Sequence, residues 1–298
     1  MIGAGVFTTS GFALEALGDP VWVLVAWVAG GLIALCGAAS YAGLALHIRS
    51  SGGEYVYLAR VVHPLAGFVA GWVSLLAGFT AAIAFAALAC EAYLDPLLPI
   101  DLPGGGIAAV LVLTAALLHS LRVSVGAVAQ NLLVLLKLAL IAAFIGVSFF
   151  VSAGSTVPNP AASVESLSAM SFAQNLVWIS LSYSGFNAAV YIAGEAQNPR
   201  AVAHALWLGT GLVTVVYLLL NYIFVALPDA AAVSGRADVA AAAAEAIGGT
   251  ALATMVRGII VLALVTSVFS MLMAGPRVYA RMADDGLLPA ALQLREHG

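Results

Sequence analysis

Charge is what this chain lacks. Asp, Glu, Lys and Arg make up 8% of its 298 residues, and the formal net charge is −4, whereas soluble domains carry about 25% charged residues. Sixty-three per cent of the residues are hydrophobic and the mean hydropathy is +1.09. That balance excludes a soluble enzyme, and ten cations are too few to build a basic surface for nucleic acid. Cysteine is scarce too. Cys36 and Cys90 both sit in apolar runs, with no neighbouring Cys or His at zinc spacing, and read as reduced packing residues. The chain also shows no reactive set for a membrane enzyme: no His-Glu-Xaa-Xaa-His, no paired intramembrane aspartates, no Ser/His pair at matched depth. His47, His63, His119, His204 and His297 all fall near the ends of apolar runs. No cofactor and no metal site is expected.

What is present is long apolar sequence. A bilayer core of about 30 Å takes about 20 helical residues. Apolar stretches near 2–17, 21–46, 64–94, 105–121, 124–152, 170–194, 202–227 and 248–275 predict seven full spans and one half-length piece, a single transmembrane domain over 1–298. Small residues at helical spacing, Ala26 with Gly30 and Gly67 with Gly71, predict close helix–helix approach. Met1 leads straight into Ile2-Gly3-Ala4-Gly5, without a charged leader or cleavage site, so no signal peptide is expected and the chain reads as starting inside a helix. Arginines 49, 60, 122, 200, 277, 281 and 295 fall on alternate loops, against Arg236 alone on the others. This asymmetry puts the 47–63 loop and the C-terminal tail in the cytoplasm. The opposite loops carry Asp19, Asp95, Asp101, Glu165, Asp229 and Asp238. Trp22 and Trp207 suit interfacial anchoring.

Two apolar segments are interrupted. Ile2-Gly3-Ala4-Gly5 opens the first, and Ser182-Tyr183-Ser184-Gly185-Phe186-Asn187 falls inside the 170–194 stretch. Unwound backbone at membrane depth is tolerated only where it lines a protein cavity. Broken helices in corresponding positions are a pointer to a transporter binding site. A helix restarting near Gly5 offers N–H groups and a positive dipole end to a carboxylate, and a half-helix ending near Tyr183 offers carbonyls to an ammonium. A zwitterionic amino acid matches both ends at once.

These residues resemble the amino acid–polyamine–organocation transporters, which include the bacterial amino acid permeases. Ile2-Gly3-Ala4-Gly5-Val6-Phe7 is similar to the family's Gly-Xaa-Gly-(Ile/Val)-Phe, and Ser51-Gly52-Gly53-Glu54-Tyr55-Val56-Tyr57 to its Gly-Gly-Xaa-Tyr-Xaa-Tyr inner loop. Tyr183-Ser184-Gly185-Phe186 followed by Glu195 through Arg200 resembles the sixth-helix break and its Glu-Xaa-Xaa-Asn-Pro, and the stretch from Pro276 to Pro289 resembles the loop after helix 8. The resemblance implies an all-α membrane fold of two five-helix inverted repeats, with this chain running from the middle of helix 1 to the loop after helix 8. It implies secondary active transport of an amino acid or amine by alternating access across the inner membrane. Substrate would be held by Ile2, Gly3, Ala4 and Gly5 on one side and Tyr183, Ser184, Gly185 and Phe186 on the other. The sequence departs from the family at Gly43, at Arg49-Ser50 and at Asn187, where many members carry an acid, so the resemblance assigns no proton coupling to helix 6.

Lys137 lies inside the 124–152 stretch. A lysine at the centre of a span costs roughly 2.5–3.5 kcal/mol to insert, so it faces a cavity or a partner. By resemblance to sodium-independent members, its ammonium stands where related transporters hold sodium and bridges the first-helix break to helix 8, which predicts coupling without sodium, by proton or by exchange. Arg257 reads either as snorkelling to the outer face or as lining a vestibule. The alternative to a transporter is a non-transporting membrane fragment or interaction subunit. Lipid is the expected surrounding; the sequence does not set the oligomeric state.

Overall fold

Glycine and proline punctuate the helices. The computed structural model describes residues 1–94, 103–121, 123–153, 168–196 and 198–293. The first helix, α1 (Gly5–Leu17), stops at Gly18, whose φ of 71° turns the chain left-handed while its N–H bonds Leu14 O at 2.9 Å. Pro20 then occupies the first turn of α2 (Pro20–His47), where its missing N–H costs nothing. After α3 (Gly53–Val61), His63 caps α4 (Pro64–Val73) by accepting from the Leu65 N–H at 3.2 Å. The helix continues through a π-helical stretch, Ser74–Ala81, into α5 (Ala82–Leu94). There follow α6 (Gly106–Leu121), α7 (Val123–Ser152), α8 (Ala169–Ser182), a 3-10 helix (Ala188–Glu195), α9 (Pro199–Val225), the single turn α10 (Ala230–Val233), α11 (Val239–Asp284) and a last 3-10 turn (Ala290–Leu292).

Among the described residues, five helices are long and apolar enough to cross a membrane: Pro20–His47, Pro64–Leu94, Val128–Ser152, Pro199–Val225 and Val239–Asp284. No strand occurs among the described residues. Large apolar side chains stand outward, among them Phe150 at 83% exposure and Leu208 at 73%. In water such a surface would be an aggregation liability; in lipid it is the solvated face. The protein is an all-α, multi-pass membrane protein.

Several boundaries differ from the sequence expectation. The segment expected at 2–17 is helical only from Gly5, with Gly3 and Ala4 outside the helix. The 170–194 stretch is two helices separated by a turn. The 248–275 span begins earlier, at Val239, and 248 is instead a kink: Gly248 and Gly249 have φ of −134° and 69°. Gly106–Leu121 is a 16-residue helix, short for a bilayer. Cys90 is buried, but Cys36 is exposed and packs less than its apolar context suggested. Among the charges and histidines read for orientation and depth, Asp95, Asp101, Arg122, Glu165, Arg295 and His297 lie outside the described residues.

The chain forms two units. The first comprises Met1–Ala34, Asn131–Ser184 and Thr210–Leu264; the second comprises Leu35–Gln130, Gly185–Gly209 and Val265–Gly298. The first is built around Phe7, Trp27, Phe144, Tyr183, Tyr217 and Phe224, all at most 2% exposed. The second is built around Tyr55, Tyr57, Phe79, Val190, Leu206 and Met282. Glycine permits close approach in both. A β-carbon on Gly30 would lie 2.9 Å from Ile179 Cγ2, one on Gly67 2.4 Å from Ala59 Cβ, and one on Gly71 2.7 Å from Met282 Sδ.

Candidate functional site: two helix ends brought together

Within the first unit, the start of α1 meets the end of α8. Ala4 stands at the N-cap of α1 without a side-chain cap, and no acidic residue occupies the first turn. The N–H groups of that turn, and the partial positive charge they carry, are therefore not neutralised by a carboxylate of α1 itself. Alongside, α8 ends at Ser182. Thr9 Oγ1 lies 3.1 Å from Ser182 Oγ, and a β-carbon on Gly5 would stand 2.5 Å from the same oxygen. Glycine at position 5 is what lets the helices close to this distance.

Tyr217 of α9 ties the two ends. Its buried hydroxyl is 2.8 Å from Met1 O and 3.1 Å from Ser182 O, so one proton is shared between a carbonyl of each broken segment. The ring packs against Tyr183 at 4.9 Å between centroids and against Trp27 at 5.4 Å. Beneath this aromatic trio runs a buried polar chain: Trp27 Nε1 donates to Ser10 Oγ at 2.8 Å, Ser10 bonds Asn221, and Asn221 Nδ2 donates to Tyr217 O at 2.8 Å. Each polar atom in the chain finds a partner, as burial requires.

Lys137, on α7, is 6% exposed and donates from Nζ to Ile2 O at 3.3 Å. It is the only lysine in the sequence. A charge-assisted bond to a carbonyl of the broken segment fixes the backbone of that segment directly.

The sequence-predicted residues divide as follows. Ile2, Gly3, Ala4, Gly5, Lys137, Tyr183 and Ser184 belong to the first unit. Ile2 is buried and gives its carbonyl to Lys137. Gly3 and Ala4 lead into α1, Ala4 as its N-cap, and Ser184 is exposed in the turn after α8. Tyr183 stands at the C-cap of α8. The ring is 1% exposed and its hydroxyl donates to Trp27 O at 3.0 Å, so the side chain is committed to the core. Gly185 and Phe186 belong to the second unit. Gly185 has φ of 93°, a conformation that L side chains rarely adopt. The Phe186 ring fills the space a side chain at Gly37 would take and packs edge-on against Tyr41 at 5.9 Å. Arg257 is exposed, and its charge helps Arg236 hold the Asp238 carboxyl below the usual carboxylate range; the two Arg236–Asp238 bonds are 2.8 and 2.9 Å.

Sequence reasoning missed Trp27, Tyr217, Asn221 and Ser10. Trp27, Tyr217 and Asn221 lie in apolar runs without a motif, and Ser10 follows Thr8 and Thr9 in a short polar patch that carries no motif either. The one available signal was polarity inside a span: Asn221 and Ser10 are hydrogen-bonding side chains where lipid offers no partner.

The amino acid permease family model matches residues 1–296. The chain belongs to the amino acid permease family. It is 31% identical over 232 aligned positions to b(0,+)-type amino acid transporter 1 of Mus musculus, covering 74% of this chain and 47% of that protein. It is 29% identical over 310 positions to the serine/threonine exchanger SteT of Bacillus subtilis (strain 168), covering 99% of this chain and 67% of that one. It is 27% identical over 313 positions to large neutral amino acids transporter small subunit 2 of Homo sapiens, covering 99% and 57%. The chain thus spans about half to two-thirds of the length of these relatives.

Proposed function

We propose that this protein is a secondary active transporter that carries a neutral amino acid across the cytoplasmic membrane by alternating access, without sodium, by exchange or with a proton. The 47–63 loop and the C-terminal tail face the cytoplasm on this reading. Substrate binds where the two helix ends meet. The α-carboxylate takes the N–H groups exposed at Gly3, Ala4 and Gly5, and the α-ammonium takes carbonyls at Tyr183 and Ser184. Gly185 supplies the backbone turn that ends this half-site, and Phe186 follows it in the chain.

The observation that carries the proposal is the Tyr217 bridge from Met1 O to Ser182 O, which holds a helix N-terminus and a helix C-terminus side by side. Opposite dipole ends at one place recognise a zwitterion and nothing of single charge equally well. Residues 2–5 and 183–186 include no Asp, Glu, Lys, Arg or His, which favours a neutral substrate side chain. The relatives' names point the same way: one is a serine/threonine exchanger, another a transporter of large neutral amino acids. Lys137 acts in coupling. Its ammonium occupies the place of a cation and, by its bond to Ile2 O, holds the broken segment in one arrangement.

The experiment is binding of radiolabelled serine, threonine and leucine to the purified protein by scintillation proximity, competed by the corresponding amines and by carboxylates lacking the amino group. The reading predicts that the zwitterions bind and that both single-charge analogues compete weakly. Equal competition by amine and zwitterion would contradict it.

A further inference from the structure

The second unit contains a carboxylate that the substrate site does not use. Glu54 stands in the first turn of α3, and its Oε2 is buried without a hydrogen-bond partner. Its other oxygen gathers donors from two other elements. Tyr41 of α2 donates to Oε1 at 3.3 Å, and Asn187 donates its amide to the same oxygen. Tyr191 also hydrogen-bonds Glu54, and Asn187 lies 3.4 Å from the Tyr191 hydroxyl. Tyr57, on α3 itself, is the remaining titratable group facing the carboxylate, and burial together with the Glu54 charge pushes its pKa up to about 12. Helix α4, packed against α3, contributes no acid or base. Arg281 of α11 and Asp285, in the turn just after it, are engaged with each other at 3.1 Å, and Asp285 with Tyr55 at 2.7 Å. No ion pair among the described residues engages Glu54. Among the described residues its hydrogen-bond donors are neutral.

Two of those donors belong to one segment. Asn187 precedes the 3-10 helix Ala188–Glu195 and Tyr191 lies within it. That helix has poor intrinsic geometry: 3-10 turns of this length are uncommon, and Ile192 departs from helical dihedrals at φ −112°, ψ 16°. The segment starts after Gly185 at φ 93°. It is also fastened at its far end, where Gly194 N–H donates to Ser51 Oγ at 3.1 Å and Glu195 pairs with Arg277 at 2.9 Å, and at its middle, where Val190 is buried in the core and Tyr191 packs on Phe79 at 5.2 Å. The Glu54 cluster is thus the polar anchor of the near end.

We propose that Glu54 is a proton-binding site that works as a latch: ionised, it pins the 185–195 segment to α2 and α3 through Asn187 and Tyr191, and on protonation it releases that segment. The physical reason is asymmetry of hydrogen bonding. A carboxylate accepts from several donors at once, and charge-assisted bonds of this kind are about twice as strong as neutral ones. Protonation turns one oxygen into a donor and removes the charge that the amide and the phenols converge on. The latch itself stands apart from transport. Its consequence, that acid on the Glu54 side frees the segment following the α8 break, rests on the transport reading.

Hydrogen–deuterium exchange of the protein in lipid nanodiscs tests the latch directly, with exchange times scaled for the intrinsic pH dependence of amide exchange. Wild type should exchange faster over residues 185–195 by at least about tenfold as pH falls from about 8 to about 5, while α1 stays unchanged. Glu54→Gln should exchange fast at every pH. Asn187→Asp sets a second carboxylate against the first, and because like charges resist joint ionisation it should move the midpoint of release to higher pH. A flat wild-type profile, a Glu54→Gln protein that keeps the wild-type profile, or an unmoved midpoint in Asn187→Asp would each overturn the proposal. Uptake plays no part in this readout, so a protein without transport would count against the proposed function and leave the latch to be judged on exchange alone.

Discussion

A β-carbon on Gly5 would lie 2.5 Å from Oγ of Ser182, closer than real side chains approach. This pair of residues, 177 positions apart, fixes how nearly the start of α1 and the end of α8 can meet. Gly5→Val should therefore force the two ends apart and abolish amino acid binding, a loss of at least about tenfold in affinity for each 1.4 kcal/mol of disruption. Helical content should not change, because valine adds little strain elsewhere in the first turn. Circular dichroism and scintillation proximity binding on the same preparation check both halves of the statement. Wild-type affinity in Gly5→Val would make the close approach a packing feature only.

Gly185→Val acts by another route. With φ at 93°, the position is strained for any L residue, at a cost of about 1–3 kcal/mol, whatever space surrounds it. The turn after α8 should rearrange, and binding should fall while membrane insertion is retained. Gly185→Ala should show the same direction with a smaller loss. Equal binding in wild type and Gly185→Val is the contrary result.

Tyr217→Phe removes one hydroxyl and leaves the ring. Met1 O and Ser182 O lose a shared donor inside a buried region, a loss of about 1–3 kcal/mol. Thermal unfolding should shift down by a few degrees, since the aromatic contacts with Trp27 and Tyr183 remain. Substrate affinity should fall about tenfold or more. A lowered melting temperature with unaltered affinity would assign Tyr217 to stability and not to the site.

Lys137→Ala should remove most uptake while sodium substitution leaves wild type unaffected. Without the ammonium, Ile2 O loses its bond at 3.3 Å and the lead into α1 is no longer held from α7. Lys137→Arg should not rescue, because a planar guanidinium differs in shape and does not deprotonate at accessible pH. Initial uptake rates across external pH, for wild type and both variants, make the comparison. A Lys137→Ala protein with the wild-type rate and pH profile would contradict the coupling role.

The all-α membrane character was legible from charge and hydropathy, since nothing but lipid solvates so apolar a chain. The two breaks were legible as well, because Gly3 with Gly5, and Ser182 and Ser184 with Gly185, cluster small and polar residues within apolar runs, where a lone glycine would read as a packing contact. The Tyr217 bridge was not. A tyrosine among leucines and valines looks like any amphipathic core residue, and its function depends on carbonyls far away in sequence. The inward turn of the Tyr183 ring was not legible either, because a motif fixes a backbone position and does not say which way the ring points. Glu54 was read only as one letter of a loop signature. Its significance comes from Asn187 and Tyr191, brought to it by the 3-10 segment that interrupts what looked like a continuous span.

The most direct test of the central claim is uptake of radiolabelled neutral amino acids into proteoliposomes containing the protein, with external Na⁺ replaced by choline. The account predicts saturable uptake of a zwitterionic substrate at an unchanged rate in choline, accelerated by unlabelled amino acid inside if the mode is exchange. Uptake no greater than in protein-free liposomes, or uptake that disappears when Na⁺ is removed, would contradict it.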